Sequence, residues 1–203
     1  MKKFELTSEF ITNVLGTKLF RIKALVEFGD VIAGELGGYI EKEENLAQDG
    51  DAWVYGDAWV YGNAKVYGDA EVCGNAEVYG NAEVYGNAWV YGNAEVCGDA
   101  KVYGDACVCD NACVCGDACV CGDADYSTVK GFGRIFRTTT FFRKKDKDIG
   151  VSCGCFYGTL EEFRKKVKET HGESKTAKEY LMLADLMEYK FSREMDVEEE
   201  VNQ

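Results

Sequence analysis

The clearest pattern of apolar and polar positions along the chain is a six-residue period between residues 50 and 121. Twelve consecutive hexads carry Ala at the third position and Val at the fifth, and a degenerate thirteenth hexad follows. Ala and Val lie two residues apart, so in an extended backbone both point to one side while the residues after them point to the other. The Gly-Asp or Gly-Asn pair that precedes the Ala of a hexad favours a corner between that hexad and the one before it. Each hexad is therefore predicted to form one short strand and one turn.

Three such strands, set at about 120° to one another, close a triangular coil of 18 residues, and successive coils stack about 4.8 Å apart. The fold class predicted from the sequence is mainly β, a parallel β-helix of about five triangular coils. Its pattern resembles the left-handed β-helix of the hexapeptide-repeat superfamily. Val54–Trp59 matches that motif at the aliphatic and small positions and departs from it at Tyr55. The left hand is implied by this resemblance.

The superfamily includes acyltransferases and zinc carbonic anhydrases, to which the resemblance is distant. Those enzymes use histidine between neighbouring coils, and the only histidine here is His171, outside the repeat. His171 is predicted at a helix end, where it suits the terminal carbonyl groups. We therefore expect a protein that acts by binding, without catalysis and without a cofactor.

The flanks carry a closer resemblance, to hexapeptide-repeat proteins encoded by bacteriophages and prophages. It rests on the segments Arg21–Leu25, Phe28–Glu41, Gly131–Gly133, Arg137–Arg143 and Cys153–Phe163. The resemblance implies a phage accessory role in the host cell. It leads to the prediction of a factor that binds and inhibits a host protein, for instance one used in antiviral defence.

The order of patterns along the chain predicts four regions. Residues 1–49 are expected to form an N-terminal cap and an irregular first coil, because the open end of a solenoid exposes unpaired backbone. Residues 50–125 form the β-helix. Residues 126–192 are predicted to be a ββαα module, with strands at Arg134–Arg143 and Ile149–Phe156, a helix opened by a Thr159–Glu162 capping box and a second helix ending near Arg193. Residues 193–203 are expected to be an acidic tail.

Charge separates these regions further. The chain has no proline, 23 glycines, 10 cysteines and a net charge of −13. Residues 1–125 carry 8 basic and 22 acidic side chains, residues 126–192 carry 14 and 9, and residues 193–203 carry 1 and 5. No apolar run approaches the roughly 20 residues that span a bilayer, and Glu5 lies where a signal peptide would be apolar. A cytoplasmic protein with no membrane association is expected.

The outward columns of the β-helix are the first candidate binding surface. Residues 18 apart stack, so aromatic side chains are expected on the outer faces of the early coils. Exposed aromatic area on a rigid support is typical of protein interfaces. The residues predicted to bind a host or phage protein, or a second copy of the chain, are Trp53, Trp59, Trp89, Tyr55 and Tyr61.

The acidity of the β-helix suggests an alternative partner. Residues 50–125 hold 13 Asp or Glu and 2 Lys, which at about 4.8 Å per coil gives on the order of one net charge per 2 Å. Duplex DNA carries one charge per about 1.7 Å. The β-helix could therefore mimic a duplex and block an enzyme that handles DNA.

The basic module is the second candidate surface. Basic side chains interleaved with Phe141 and Phe142 could hold phosphates by charge and bases by stacking. The alternative is that the module only caps the β-helix. The residues predicted to bind a nucleotide or nucleic acid are Arg134, Arg137, Arg143, Lys144 and Lys145.

Cysteine suggests a metal site only weakly. Cys107 and Cys109, Cys113 and Cys115, and Cys119 and Cys121 form three pairs that face outward on three different sides, so they cannot converge on one ion. A tetrahedral zinc site needs four ligands about 2.3 Å from the metal. No metal is predicted, and the only candidates are Cys97, Cys113 and Cys115 on one face with Cys153 and Cys155 of the module.

Overall fold

A computed structural model describes residues 2–133 and 137–200, with side chains described as far as residue 192. The fold class predicted from the sequence is confirmed: the protein is mainly β, with a left-handed parallel β-helix of about five turns and a C-terminal α+β module. The chain forms two compact units, Met1–Asp117 with Cys121–Asp123, and Ala118–Val120 with Ala124–Gln203. Within the described residues, no helix is both long and apolar enough to cross a bilayer.

The N-terminal region is an antiparallel sheet of β1 (Phe4–Thr12), β2 (Lys18–Ala24) and β3 (Leu36–Ile40). It buries Phe4, Leu19 and Ile22 completely. Strand β3 then pairs in parallel with the second repeat strand, with Ile40 opposite Val60. The antiparallel cap therefore continues directly into one face of the β-helix.

The repeats form very short strands joined by corners, as the six-residue period predicts. Each strand consists of the variable residue and the valine of its hexad. The strands are β4 (Trp53–Val54), β5 (Trp59–Val60), β6 (Lys65–Val66), β7 (Glu71–Val72), β8 (Glu77–Val78), β9 (Glu83–Val84), β10 (Trp89–Val90), β11 (Glu95–Val96), β12 (Lys101–Val102), β13 (Cys107–Val108), β14 (Cys113–Val114) and β15 (Cys119–Val120).

Every third strand joins the same parallel sheet. One face is β4-β7-β10-β13, a second continues β3 with β5-β8-β11-β14, and a third contains β6, β9 and β12. The register pairs residues 18 apart, such as Val84 with Val102. Ala and Val of the repeats from Ala52 to Val114 are at most 1% exposed. Because these small side chains fill a narrow triangular section, the core has no room for larger ones.

The C-terminal module is a four-stranded antiparallel sheet with two helices. Its strands are β16 (Tyr126–Phe132), β17 (Arg137–Arg143), β18 (Ile149–Cys153) and β19 (Phe156–Thr159), and its helices are α1 (Leu160–His171) and α2 (Lys175–Glu200). The strands are hydrogen-bonded in chain order. The prediction of two strands was therefore incomplete: it did not include β16, and its second strand, Ile149–Phe156, is divided into β18 and the start of β19 by a turn.

The helices follow their predicted start signals more closely than their predicted ends. The capping box is confirmed, since Thr159 Oγ1 accepts from the Glu162 amide at 3.2 Å and Glu162 accepts from the Thr159 amide at 2.8 Å. Helix α2 continues to Glu200, past the predicted end at Arg193, because no glycine or proline interrupts residues 193–200. Most of the predicted acidic tail is thus helical.

The module has its own core between the sheet and the helices. Phe141 and Val151 of the sheet pack with Phe163 of α1 and with Ala184 and Phe191 of α2. The sequence predicts a buried stripe on α2, and this prediction is wrong at Leu186, which is exposed. The predicted stripe consists of Ala177, Leu181, Ala184, Leu186 and Phe191. The buried positions instead recur at three- and four-residue steps through Ala177, Tyr180, Leu183, Ala184, Met187 and Phe191.

Candidate ligand-binding site

The tryptophans predicted as a binding surface differ widely in exposure. Trp53 is 0% exposed, so the expectation that it lies outside the core was wrong. The N-terminal cap covers it, with the rings of Phe4 and Phe28 at 6.1 and 5.3 Å. Trp59 is partly buried between Tyr39 and Glu77 of the neighbouring strands. Trp89 is 49% exposed and keeps the open aromatic surface that the sequence predicts.

The outward tyrosines form stacked ladders. Tyr67, Tyr85 and Tyr103 stack with ring centroids 4.8 and 5.1 Å apart, and Tyr61 stacks on Tyr79 at 5.1 Å. Tyr61 also donates to Glu77 at 3.1 Å. Burial, followed by the charge of Glu71, raises the pKa of Tyr55 to about 12. Tyr55 and Tyr61 are thus half-buried structural side chains in the repeat.

The acidic and amide corners are engaged with one another in the same way. Asn81 donates to Asp99 at 2.9 Å, and Asn87 donates to Asp105 at the same distance. Asn75, Asn93 and Asn111 form a further ladder at 3.2 and 3.3 Å. Part of the negative charge that suggested a duplex mimic therefore serves corner-to-corner hydrogen bonding.

The thiols on the second face lie close together but do not form a recognisable metal site. Cys97, Cys113 and Cys115 share hydrogen bonds, and the bond with Cys113 is the main reason why the pKa of Cys97 rises to about 11. Hydrogen bonds with Cys113 and Cys97 and burial also raise the pKa of Cys115. No group of three or more His, Cys, Asp or Glu side chains within the described residues has an arrangement that could hold a metal ion.

The basic residues of the module do not form one surface. Arg137 begins β17 and Arg143 ends it, so about 20 Å of extended backbone separates them. Arg143 is engaged in the interior, with Nε 3.4 Å from Asp125 and a guanidinium nitrogen donating to the Phe191 carbonyl at 2.6 Å. Lys144 pairs with Asp146 at 3.6 Å, and Lys145 is exposed. Arg134 lies outside the described residues.

The module contains a half-open cavity of about 350 Å³ at the Arg137 end of the sheet. Helix α1, the start of α2, β17 and the β18–β19 turn contribute its walls. Its size lies at the lower end of the range of about 300–1,000 Å³ in which small-molecule sites fall. The lining residues are Arg137, Cys153, Cys155, Phe156, Phe163, Lys166, Val167, Thr170, His171 and Tyr180.

Aromatic rings form a continuous wall of this cavity. The rings of Phe156 and Phe163 lie 5.5 Å apart, Phe163 meets Tyr180 edge-on at 5.7 Å, and His171 stacks on Tyr180 at 6.0 Å. The Tyr180 hydroxyl donates to the Phe132 carbonyl at 3.4 Å. Burial, followed by the neighbouring Cys153, raises the pKa of Tyr180 to about 12. The Tyr180 hydroxyl therefore stays protonated at neutral pH.

Cationic groups border the same cavity. Arg137 and Lys166 contribute to its lining, and none of the lining residues is acidic. Within the described part of the chain, no carboxylate forms an ion pair with either of these two side chains. A second, smaller cavity shares Phe156 and Lys166 and is bordered by Glu162 and Glu169. Negative charge is thus present nearby, but outside the lining of the larger cavity.

Sequence analysis singled out Arg137, Cys153 and Cys155 but missed the site that they share. His171 does end α1 as predicted, yet its ring also faces the cavity. Phe156, Phe163 and Tyr180 were not among the residues that the sequence singled out as candidates for binding. The only available signal was the coincidence of the sole histidine with two cysteines and several basic residues in one short module.

Comparisons with known proteins concern the repeat. The chain matches the family model described as "YdcK Beta solenoid repeat" over residues 76–92. It is also similar to the Escherichia coli (strain K12) protein described as "Uncharacterized acetyltransferase YdcK", with 44% identity over 62 residues. That alignment covers 27% of this chain and 19% of the E. coli protein, so the chain spans about a fifth of the relative that it matches. Both findings support a β-solenoid repeat protein.

Proposed function

We propose that this protein is a non-catalytic binding protein whose ligand site is the cavity of the C-terminal module. One observation carries the proposal: an aromatic cavity of about 350 Å³ is bordered by cationic side chains that form no ion pairs within the described residues. Unpaired charge at a largely apolar cavity is typical of a site that binds and orients a small ligand. The concave shape and small volume favour a small molecule over a polymer.

In this proposal the β-helix serves as a rigid support. Its inward side chains are Ala and Val, its corners form amide ladders, and its tyrosines stack or donate to glutamates. Residues 50–125 contain no histidine, which the catalytic sites of hexapeptide-repeat enzymes use. Binding is therefore a better interpretation of this chain than acyl transfer on the β-helix.

A blocked cavity tests the proposal directly. Thr170 is exposed at the cavity lining, so Thr170→Trp should fill the space without disturbing the core. Leu186→Trp is the matched control, because Leu186 is also exposed and uncharged but lies away from the lining. Ligand-observed NMR with a library of ring-containing fragments should find binders of the wild type and of Leu186→Trp that do not bind Thr170→Trp. Equal binding to Thr170→Trp, or no binder at all, would contradict the proposal.

A partner protein on the β-helix is the second candidate function, favoured by Trp89. This side chain is 49% exposed in strand β10, between Glu71 and Cys107 of the adjacent strands. A half-exposed Trp on a rigid face is a typical interface anchor. The host protein whose inhibition is proposed would dock there. Trp89→Ala should abolish recovery of such a partner from host lysate while Trp59→Ala retains it, and equal recovery by both variants would argue against this surface.

Duplex mimicry is the remaining proposal for the acidic face. It predicts salt-sensitive binding to a DNA-handling enzyme, with duplex DNA displacing the protein. Asp69, Asp99 and Asp105 already accept hydrogen bonds at the corners, and Asp57 lies 3.9 Å from Arg21, so these carboxylates are less available for this role. Binding that is indifferent to salt and to duplex DNA would exclude mimicry.

A further inference from the structure

We propose that the ligand of the module cavity is a planar aromatic anion, an aromatic ring that carries a carboxylate or phosphate group. This inference rests on the proposed function and specifies its ligand class. It depends on two separate properties of the cavity, its ring-lined wall and its uncompensated positive charge. Each property can be tested by changing one part of the ligand.

The aromatic wall of the cavity favours a ligand with a flat, aromatic ring. Phe156, Phe163, Tyr180 and His171 form a chain of rings with centroid separations of 5.5–6.0 Å. Phe156 and His171 are half-buried and present ring surface to the cavity, while the buried rings of Phe163 and Tyr180 support them from behind. Aromatic pairs are more favourable than the burial of area alone would make them. A ring-shaped ligand therefore gains more here than a saturated group of the same size.

The positive charge selects for an anion. Arg137 is exposed at the lining, and its planar guanidinium can donate two parallel hydrogen bonds to a carboxylate or phosphate. Lys166 on α1 adds a second charge at the same cavity. Glu162 and Glu169 border the neighbouring cavity, which Lys166 also lines, and neither of them lines the larger cavity. A ligand anion would supply the counter-charge that no ion pair gives Arg137 within the described residues.

The β18–β19 turn leaves room for Arg137. Gly154 has φ of +62°, and a Cβ added there would collide with the guanidinium of Arg137. Glycine at this turn therefore lets the guanidinium lie against the backbone. Gly154→Ala should shift the flexible end of Arg137 while leaving the aromatic wall unchanged.

Isothermal titration with matched ligands tests the ligand class. We would titrate 2-naphthoate and 2-naphthyl phosphate as anions, methyl 2-naphthoate as the neutral ring, and decalin-2-carboxylate as the saturated acid. Both aromatic anions should bind, and the ester should bind about tenfold more weakly or worse, because a charge-assisted hydrogen bond is lost. The saturated acid should also lose several-fold in affinity. The ratio of carboxylate to phosphate affinity then distinguishes the two sources of the anion.

Two charge-matched variants complete the experiment. Arg137→Met should weaken naphthoate binding about tenfold or more and leave binding of the ester unchanged. Lys165→Met removes the same charge from the neighbouring cavity only, and it should have little effect. If Arg137→Met reduces the thermal midpoint, Lys166→Met provides the same test from the helix side.

The outcomes separate this inference from the proposed function. If the ester binds as well as 2-naphthoate, the proposal that the ligand is an anion is wrong. If the saturated acid binds as well as 2-naphthoate, the proposal that the ligand is aromatic is wrong. In either case the fragment binding that Thr170→Trp blocks would still support the proposed function. If neither these compounds nor the fragments bind the wild type, both proposals fail.

Discussion

The β-helix and the C-terminal module use polar side chains in opposite ways. In the β-helix, a polar group on one coil meets an equivalent group on the next, as when Asn81 donates to Asp99 or Tyr67 donates to Glu83 at 2.9 Å. In the module, Arg137 and Lys166 point to a cavity without a carboxylate partner among the described residues. Regular repetition satisfies polar groups, and irregular structure leaves some of them available.

This difference indicates where a function could arise. An 18-residue register places equivalent positions side by side, so many outward side chains form ladders or stacks. A binding site requires unlike groups to converge, which needs a change of direction such as the β18–β19 turn or the α1–α2 connection. The exceptions on the β-helix are the places where the ladder is interrupted, such as exposed Trp89.

The largest predicted effect on stability comes from substitutions in the cores of the module and of the β-helix. Phe141→Ala in the module should cost about 3–5 kcal/mol of unfolding free energy, because a fully buried ring is lost. Val84→Ala in the β-helix should cost about 2 kcal/mol, since it removes two buried methyl groups. All three tryptophans lie in the β-helix unit, so tryptophan fluorescence follows that unit while circular dichroism at 222 nm follows the helices. A larger loss for Val84→Ala than for Phe141→Ala would contradict this ranking.

Substitutions at the two ends of β17 should separate an effect on stability from an effect on ligand binding. Arg143→Met should reduce the free energy of unfolding by about 1.5–3 kcal/mol, because its ion pair with Asp125 and its hydrogen bond to Phe191 are lost. Arg137→Met should leave unfolding within about 0.5 kcal/mol of wild type while weakening ligand binding. Urea titration of both variants measures this, and equal destabilisation would show that Arg137 is structural as well.

Lys3, in the N-terminal cap, should make the free energy of unfolding depend on pH. Its Nζ donates to the carbonyls of Ala52 and Gly50 at 2.9 and 3.2 Å, and burial lowers its pKa to about 8. Between pH 8 and the ordinary pKa of 10.5, the unfolded chain holds more protons than the folded one, so this group makes stability rise with pH. From pH 7.5 to 9.5, wild type should gain on the order of 2 kcal/mol relative to Lys3→Met.

The thiols provide the internal check on this measurement. Burial and hydrogen bonding raise the pKa values of Cys73, Cys97 and Cys115, which makes stability fall as pH rises through the ordinary thiol range. This contribution is present in both proteins, so it cancels in the difference between wild type and Lys3→Met. Parallel pH profiles of the two proteins would disprove the role of Lys3.

The smallest effect concerns the corners of the β-helix. Gly86 has φ of +72°, and a Cβ added there would lie 2.9 Å from the Gly104 amide nitrogen, so Gly86→Ala should cost about 1–2 kcal/mol. Asp110 occupies the equivalent corner at φ of 62°, and Asp110→Gly should stabilise the protein by about 0.5–1 kcal/mol. Thermal melts of the pair test this, and the same sign for both substitutions would mean that backbone strain is not the cause.

The repeat was predictable in detail because it depends on local rules alone. Alternation of Ala and Val with polar residues sets the inward face, and Gly with Asp or Asn sets the corner, so strand, turn and 18-residue register all follow. The same logic failed for Trp53. Its position in the hexad predicts an outward side chain, but Phe4 and Phe28, more than twenty residues earlier in the chain, cover it.

The module was predictable only in part. The capping box identified the start of α1 because that signal lies within four residues. The basic cluster did not form, because β17 carries Arg137 and Arg143 to opposite ends of an extended strand. The cavity could not be found from the sequence, since Arg137, Cys153, His171 and Tyr180 come from four separate segments.

The sequence by itself therefore determined the β-helix, its capped helix α1 and the sign of the charge on each region, because each depends on residues a few positions apart. Only the tertiary structure decided which aromatic side chains stay exposed and which cations remain unpaired. Both properties depend on long-range packing, in which distant segments either cover a side chain or leave it open to a ligand.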